Sequence, residues 1–160
     1  MGPSGTGRAL DADLVAFING GVAVGVATRN GDLRPAYTRG WGPAVSADRR
    51  WLTLCVIAPR GSPSRENIEG NGAIAVVFNP PTVGQALQLK GVVHEAWEPV
   101  AEDLERAERH LQAFAMEAEQ VGAPPENAQR LFVQQDFLAV RVSIDEVFDQ
   151  TPGRRAGVRL

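Results

Sequence analysis

Apolar and polar residues alternate with a period that changes several times along the chain, and each change marks an element. In DADLVAFIN, residues 11–19, Leu14, Phe17 and Ile18 fall on one helical side, with Asp11 or Asp13 as the cap. GVAVGVAT then reads as a strand, and RNGD as a tight turn whose Asn-Gly pair accepts positive φ. RPAYTRGWGPAVS resumes as a strand, disturbed by glycine and proline near its end. SADR turns the chain again, and WLTLCVI is too apolar to be exposed on both faces. Three strands joined by short turns predict an antiparallel meander.

APRGSPSRENIEGNG breaks the pattern with a loop and a short helix over about residues 64–69, with Ser62 or Ser64 as its cap. AIAVVFN is a buried strand, and PPTVG punctuates. QALQLKGVVHEAW, residues 85–97, is a long strand. Its alternation assigns Leu87, Leu89, Val93 and Trp97 to the core face and Gln88, Lys90, Val92 and His94 to the other. The strongest helical pattern covers 99–121. Pro99 fits the first turn, and Glu102, Asp103 and Glu105 suit the positive helix end. Val100, Leu104, Leu111, Phe114, Ala118 and Val121 recur at helical spacing, and Gly122 ends the run. PENAQRLFVQ predicts a further short helix, and DFLAVRVSID a last strand. Six or so mostly antiparallel strands, with helices inserted late, predict a mainly β, α+β domain: a small closed barrel with helices packed against it.

A chain of 160 residues is most simply one domain, here residues 11–153 between a flexible tail at 1–10 and a C-terminal tail at 154–160. No apolar run approaches the roughly 20 residues of a membrane span, and the N-terminus lacks a signal-peptide pattern, so a cytoplasmic protein is expected. Nineteen acids against 16 Lys and Arg give a net charge of -3. That balance argues against nucleic acid or a membrane surface as partner. Cys55 is the single cysteine, which rules out an internal disulfide and a cysteine-rich metal site; in its apolar strand it reads as a small hydrophobe.

Candidate chemistry centres on Lys90, the only lysine of the chain. It shares a strand face with Gln88 and His94. That row is either a solvated outer face, on which Lys90 snorkels, or a groove for an anionic ligand. The loop APRGSPSREN places Arg60, Ser64 and Arg65 around a helix start, a combination suited to phosphate. It lacks the GxxxxGK[ST] spacing of a nucleotide P-loop, and GTG at 5–7 does not follow a strand. His94 reads first as structural, and His110 as a surface residue. Glu66 and Glu69 read as helix solvation, and Arg154 and Arg155 as a solvated tail. Trp41, Trp51 and Trp97 read as core or interface anchors, with Trp41 the best candidate to stack on a cofactor. No group of His, Asp and Glu has metal spacing.

The order of these elements, with GDLRPAYTRGWG, WLTLCVIAPRGSPSRENIEGNGAIAVVFNPP, ALQLKGVV and FLAVRVSIDEVFDQTPG, resembles the FMN-binding split barrels related to pyridoxamine 5'-phosphate oxidase, in particular their small members. The resemblance spans about residues 11–153. It implies a six-stranded antiparallel split β-barrel with peripheral helices, a homodimer with FMN at the two-fold interface, and flavin-dependent oxidoreduction of a small molecule, with NAD(P)H as a candidate donor. By position, Arg39, Gly40 and Trp41, with Thr38, would approach the isoalloxazine ring. Arg60, Ser64 and Arg65 would hold the phosphate, and Gln88 and Lys90 would complete the phosphate and ribityl contacts. No catalytic side chain is implied. The C-terminal DQTPGRRAGVRL lacks the Arg- and His-bearing substrate motif of the vitamin-producing oxidases, and TRGWG is glycine-rich where many relatives carry bulkier residues. The resemblance leaves two alternatives: a non-catalytic protein that binds or senses flavin or haem, with His94 as the candidate haem ligand, and a deazaflavin-dependent reductase of the same fold.

Overall fold

The computed structural model describes residues 8–132 and 136–160. Its strands form where β-branched and aromatic residues concentrate. In chain order they are β1 (Ala23–Arg29), β2 (Pro35–Val45), β3 (Trp51–Ile57), β4 (Ala73–Asn79), β5 (Leu87–Trp97), β6 (Phe137–Ser143), β7 (Glu146–Asp149) and β8 (Val158–Arg159). The helices are α1 (Ala12–Ile18), α2 (Pro63–Gly70), α3 (Ala101–Gln120) and α4 (Pro125–Phe132). Residues 133–134, expected to continue α4, lie outside the described residues.

β1, β2 and β3 form the expected meander, β3 pairs with β6, β6 with β5, β5 with β4, and β4 returns to β1. Six antiparallel strands therefore close a barrel, with β7 and β8 added at one edge. Its interior is packed with Val24, Val26, Leu52, Leu54, Val56, Ile74, Val76, Phe78, Leu89, Val140 and Val142. Alternation puts these residues inside and leaves their strand neighbours outside. Leu10, Ile18 and Ile68 join the same core from outside the strands.

β5 serves two partners on one edge. Its second half pairs with β6 and its first half with β7, which follows β6 after a corner at residues 144–145. At the changeover the backbones nearly touch. A side chain on Gly91 would place its Cβ 1.7 Å from the Ser143 carbonyl oxygen. The Asp145 amide donates to the Lys90 carbonyl at 3.0 Å, and the Val92 amide to Ser143 Oγ at 3.2 Å, stitching the corner to β5.

A register shift between Val93 and Glu95 then corrects the sequence expectation for this strand. Val93 stays against the core, but the inserted residue reverses the alternation beyond it. Ala96 pairs with buried Val140, while Trp97 pairs with Ala139 on the outer face and packs beneath α3. Trp97 is therefore not on the face of Leu87 and Leu89.

The turns also differ in detail. The 30–34 turn is held by Asn30 Oδ1, which accepts from the Asp32 and Arg34 amides at 3.0 and 2.9 Å. Its positive φ falls on Leu33, at 63°, and not on the Asn-Gly pair. Ser62 caps α2, accepting from the Arg65 amide at 3.3 Å, with Pro63 in the first turn. Asn67 of α2 donates to buried Thr28 of β1 at 3.0 Å and fixes the helix on the barrel. At the termini, the Arg8 amide bonds the Ile144 carbonyl at 2.8 Å and the Leu160 amide bonds the Val147 carbonyl at 2.9 Å.

Gly91→Ala tests the close approach. Backbone has to move to admit the methyl group, so a loss of roughly 3 kcal/mol or more is expected in urea denaturation. An unchanged midpoint would mean that β6 retreats freely and that the changeover is not tightly specified.

Candidate functional site

Cross-strand register carries three of the proposed ligand residues onto one surface, because directly paired residues point to the same side of a sheet. On the outside of the barrel, Tyr37, Ala27, Ala75, Lys90 and Glu146 form a row across β2, β1, β4, β5 and β7. Beside it runs a second row of Arg39, Gly25, Val77, Gln88 and Phe148. Between Tyr37 and Lys90 the floor is alanine, spanning about 14 Å at ~4.8 Å per strand. A cleft of about 490 Å³ opens here, lined by Ala27, Ala73, Ala75, Lys90, Gly91 and Glu146 among others.

The Lys90 side chain is exposed, and its Nζ lies 4.8 Å from the centroid of the Phe148 ring. Among the described residues no carboxylate forms an ion pair with it, although Asp145 and Glu146 line the same cleft. Gln88 accepts a hydrogen bond from Gln150 Nε2 at 3.1 Å. Lys90 thus keeps a cation available beside a shallow, mostly apolar trough.

The other proposed residues lie elsewhere. Thr38 and Gly40 occupy the alternate positions of β2, toward the barrel interior. Thr38 Oγ1 donates to the Ile57 carbonyl at 2.8 Å, and a Cβ on Gly40 would sit 2.7 Å from Leu54. Trp41 points outward but is covered by α3, with edge-on contacts to His110, Phe114 and Phe132 at centroid distances of 5.6, 5.8 and 5.5 Å. At 3 % exposure it cannot stack on a ligand from solution without displacing that helix. Its Nε1 is buried with no hydrogen-bond partner.

Arg60, Ser64 and Arg65 gather at the start of α2, where the arginines already hold acids. Arg65 Nη2 meets Glu98 Oε1 at 2.6 Å and its Nε meets Glu69 Oε1 at 2.7 Å. Arg60 Nη2 reaches the same Glu98 oxygen at 3.5 Å. The Arg65 side chain is 11 % exposed and that of Arg60 is 85 % exposed. Hydrogen bonds donated to Glu98 and then to Glu69 raise the Arg65 pKa. Hydrogen bonding to Arg65 keeps the Glu98 carboxyl below its ordinary range. Glu98 lies eight residues beyond Lys90 in sequence, about 26 Å of extended strand at ~3.3 Å per residue. Lys90 and the arginine pair of one chain therefore stand well apart along β5.

The underside of α3 holds what the sequence reading missed. Its buried stripe is Asp103, Ala107, His110 and Ala118, with Leu111 and Phe114 partly covered. Val100, Leu104 and Val121, expected on that face, are exposed. Polar residues can be buried here because their groups are paired. Asp103 Oδ2 accepts from the Val100 amide and Trp97 Nε1, at 3.1 and 2.8 Å, and Oδ1 accepts from Arg106 at 2.9 Å. Burial opposes ionisation of Asp103, but these three donors hold its pKa below the ordinary value. His110 is buried, not at the surface: the Gly42 amide donates to its Nδ1 at 3.2 Å, and its Nε2 lies 2.9 Å from the Val22 carbonyl. The ring is therefore neutral, with its proton on Nε2. Gly42 has φ +62°, and a Cβ there would lie 2.9 Å from the Ala107 nitrogen.

Burial pushes the Cys55 thiol up to about 11, which keeps it unreactive in this second core. His94 is exposed at the β5 bulge, edge-on to Trp51 at 5.1 Å, with Arg141 stacked 4.5 Å from the Trp51 centroid. Arg155 pairs with Asp149 at 3.2 Å and Arg159 with Glu146 at 3.6 Å. Among the described residues, no three His, Cys, Asp or Glu side chains could share a metal ion, and no helix is long and apolar enough to cross a membrane.

Strand order, barrel closure and helix placement can be set beside solved structures. An F420 reductase superposes with a TM-score of 0.54 at 16% identity, over 82% of this chain and 93% of its own. A putative pyridoxamine 5'-phosphate oxidase from Lactobacillus delbrueckii does so with a TM-score of 0.52 at 18% identity, over 88% and 93%. The fold is that of the split barrels. An FMN-binding protein from Syntrophomonas wolfei shares it at 8% identity, with a TM-score of 0.51 over 90% of each chain. No protein-family model matches the sequence, and no curated protein matches it. The sequence resemblance to the oxidase-like split barrels thus holds at the level of fold.

His110 supplies a pH test of the second core. Its ordinary pKa of 6.5 falls to about 4 in the folded chain, because burial disfavours the cation. The unfolded chain therefore binds this proton first as pH falls. The stability contribution is complete above about pH 6.5 and is lost on descending toward pH 4, by up to about 3 kcal/mol. Urea denaturation at pH 7 and pH 4.5 should show this loss, and His110→Phe should reduce the slope. A slope unchanged in the variant would place the pH dependence elsewhere.

Proposed function

We propose that this split barrel binds FMN and uses it for electron or hydride transfer to a small molecule. The observation that carries the reading is Lys90, a solitary lysine without a carboxylate partner among the described residues, at the rim of an alanine-floored cleft. A planar ring system suits such a floor, and an ammonium offsets an anionic substituent. Arg39 and Gln88, in the adjacent row, offer further polar contacts. Bound flavin would supply the redox chemistry, while the chain would orient it and balance its charge. The F420 reductase among the similar folds is the specific observation that keeps a deazaflavin as the second reading.

The two cationic stations of one chain are too far apart to share a phosphate. A two-fold homodimer that apposes the Lys90 cleft of one chain with the Arg60–Arg65 pair of its partner would let both serve one cofactor. In that arrangement the exposed trough would lie at the subunit interface, and the outward-facing Tyr37 and Phe148 would be covered on assembly.

The absorption spectrum of freshly purified protein separates the readings. Two bands in the near ultraviolet and blue are expected for oxidised FMN, a single violet band for deazaflavin, and an intense Soret band for haem. Bleaching by NADH or NADPH under anaerobic conditions distinguishes an enzyme from a passive binder. Lys90→Ala should weaken FMN binding by about tenfold or more. Adding Arg65→Ala should abolish retention, with circular dichroism and dimer mass unchanged. Flavin held by the double variant at native affinity would remove both stations from the site.

A further inference from the structure

A single oxygen of Glu98 stands where an arginine-bound ligand would place its charge. Oε1 lies 2.6 Å from Arg65 Nη2 and 3.5 Å from Arg60 Nη2, so one carboxylate oxygen spans both guanidinium groups. The three residues differ in freedom. Arg65 has two further anchors, Glu69 Oε1 at 2.7 Å on Nε and the Ala58 carbonyl at 3.5 Å from Nη1. It would keep its place if Glu98 left. Arg60 is 85 % exposed and free to follow a ligand, and Glu98 is 59 % exposed, just beyond the end of β5, free to turn into solvent.

The surface beside this carboxylate is concave, with Arg60 as its cationic lining residue. A cavity of about 390 Å³ is lined by Arg60, Glu98, Pro99, Leu104, Asp136 and Phe137. Its arginine side attracts anions, and Pro99, Leu104 and Phe137 form an apolar wall. Asp136 repels charge on the remaining side, which favours a ligand carrying its charge at one end. Glu98 itself is largely exposed, so water weakens its hold on both arginines and competes for its place. A phosphate dianion with several acceptor oxygens can engage both arginines more fully than one carboxylate oxygen does.

We propose that Glu98 is a built-in competitor for the anion of the Arg60–Arg65 pair, turning away when a phosphate-class ligand binds. Only the identity of that ligand as FMN rests on the reading above. The contact would hold Arg60 beside the anchored Arg65 in the free protein and would raise the threshold for weak monoanions.

Glu98→Gln keeps the shape and removes the charge. Inorganic phosphate, exchanged for chloride at constant ionic strength, should bind this variant about fivefold more tightly than wild type by calorimetry. The gain should disappear when Arg60→Gln, a change at an exposed residue, is added. FMN affinity should rise with Glu98→Gln while riboflavin, which lacks the phosphate, stays unchanged. Equal or weaker phosphate binding by Glu98→Gln, no detectable binding by either protein, or a gain that survives Arg60→Gln overturns the proposal. Tighter phosphate binding with no flavin binding leaves the competitor in place and removes the flavin reading. FMN binding to wild type with no phosphate gain in the variant does the reverse.

Discussion

β5 is held from both sides and in two halves, and most of the architecture follows from the space this leaves. Its first half lies between β4 and β7, while its second half, beyond Gly91, runs beside β6. Two successive strands can share one edge only if the chain turns a corner hard against it. The near contact of Ser143 with Gly91 is that corner. Leu87 and Leu89 then point into the barrel, and Gln88 and Lys90 into the outer trough. The bulge that follows sends Trp97 outward to meet α3. Core, cleft and helix seat are thus consequences of one strand's constraints.

The helix seat shows how a domain of this size manages polar groups in a second core. Asp103 and His110 would be expensive to bury alone. Each is tied instead to backbone or to a neighbour on β2 and β5, so α3 is fixed in rotation as well as position. Arg106 contributes twice, to Asp103 at 2.9 Å and to the Gly42 carbonyl at 2.8 Å. Gly42 makes this possible because its missing side chain lets the Ala107 backbone approach. Glycine in TRGWG therefore has a packing reason at residue 42 and an interior one at residue 40, where Leu54, Val24 and Val26 crowd the Cβ position.

What was legible in the sequence was periodic. The six barrel strands, α2 with its serine cap and the extent of α3 all follow from local pattern and punctuation. The rotation of α3 did not, because apolar Val100 and Leu104 outweighed Asp103 and His110 in a reading that counts only hydrophobicity. The burial of His110 depends on partners far away in sequence, the Gly42 amide and the Val22 carbonyl, while that of Asp103 depends on side-chain and backbone donors at Trp97, Val100 and Arg106 that hydrophobicity does not register. The bulge at residues 93–95 left no signal either, since His94 and Glu95 are ordinary on a solvated strand. β7 was hidden by its length of four residues, and β8 by its length of two. Lys90 stood out because it is alone, and its outward face was correctly given by alternation.

The site residues divide by how their charge is balanced, which is not a sequence property. Lys90 and Arg65 look equivalent as isolated cations in a chain of net charge -3. In the fold, one meets an aromatic ring and the other two carboxylates. A cation on a ring face keeps most of its capacity for an incoming anion, because the quadrupole of the ring does not neutralise it. A guanidinium in two charge-assisted bonds has to exchange one of them, so its net gain is a difference between two similar interactions. The same ligand oxygen is therefore worth more at Lys90 than at Arg65, unless the acid at Arg65 moves aside. Affinity for an organic phosphate would then be set largely at the uncompensated station, and selectivity among anions at the compensated one.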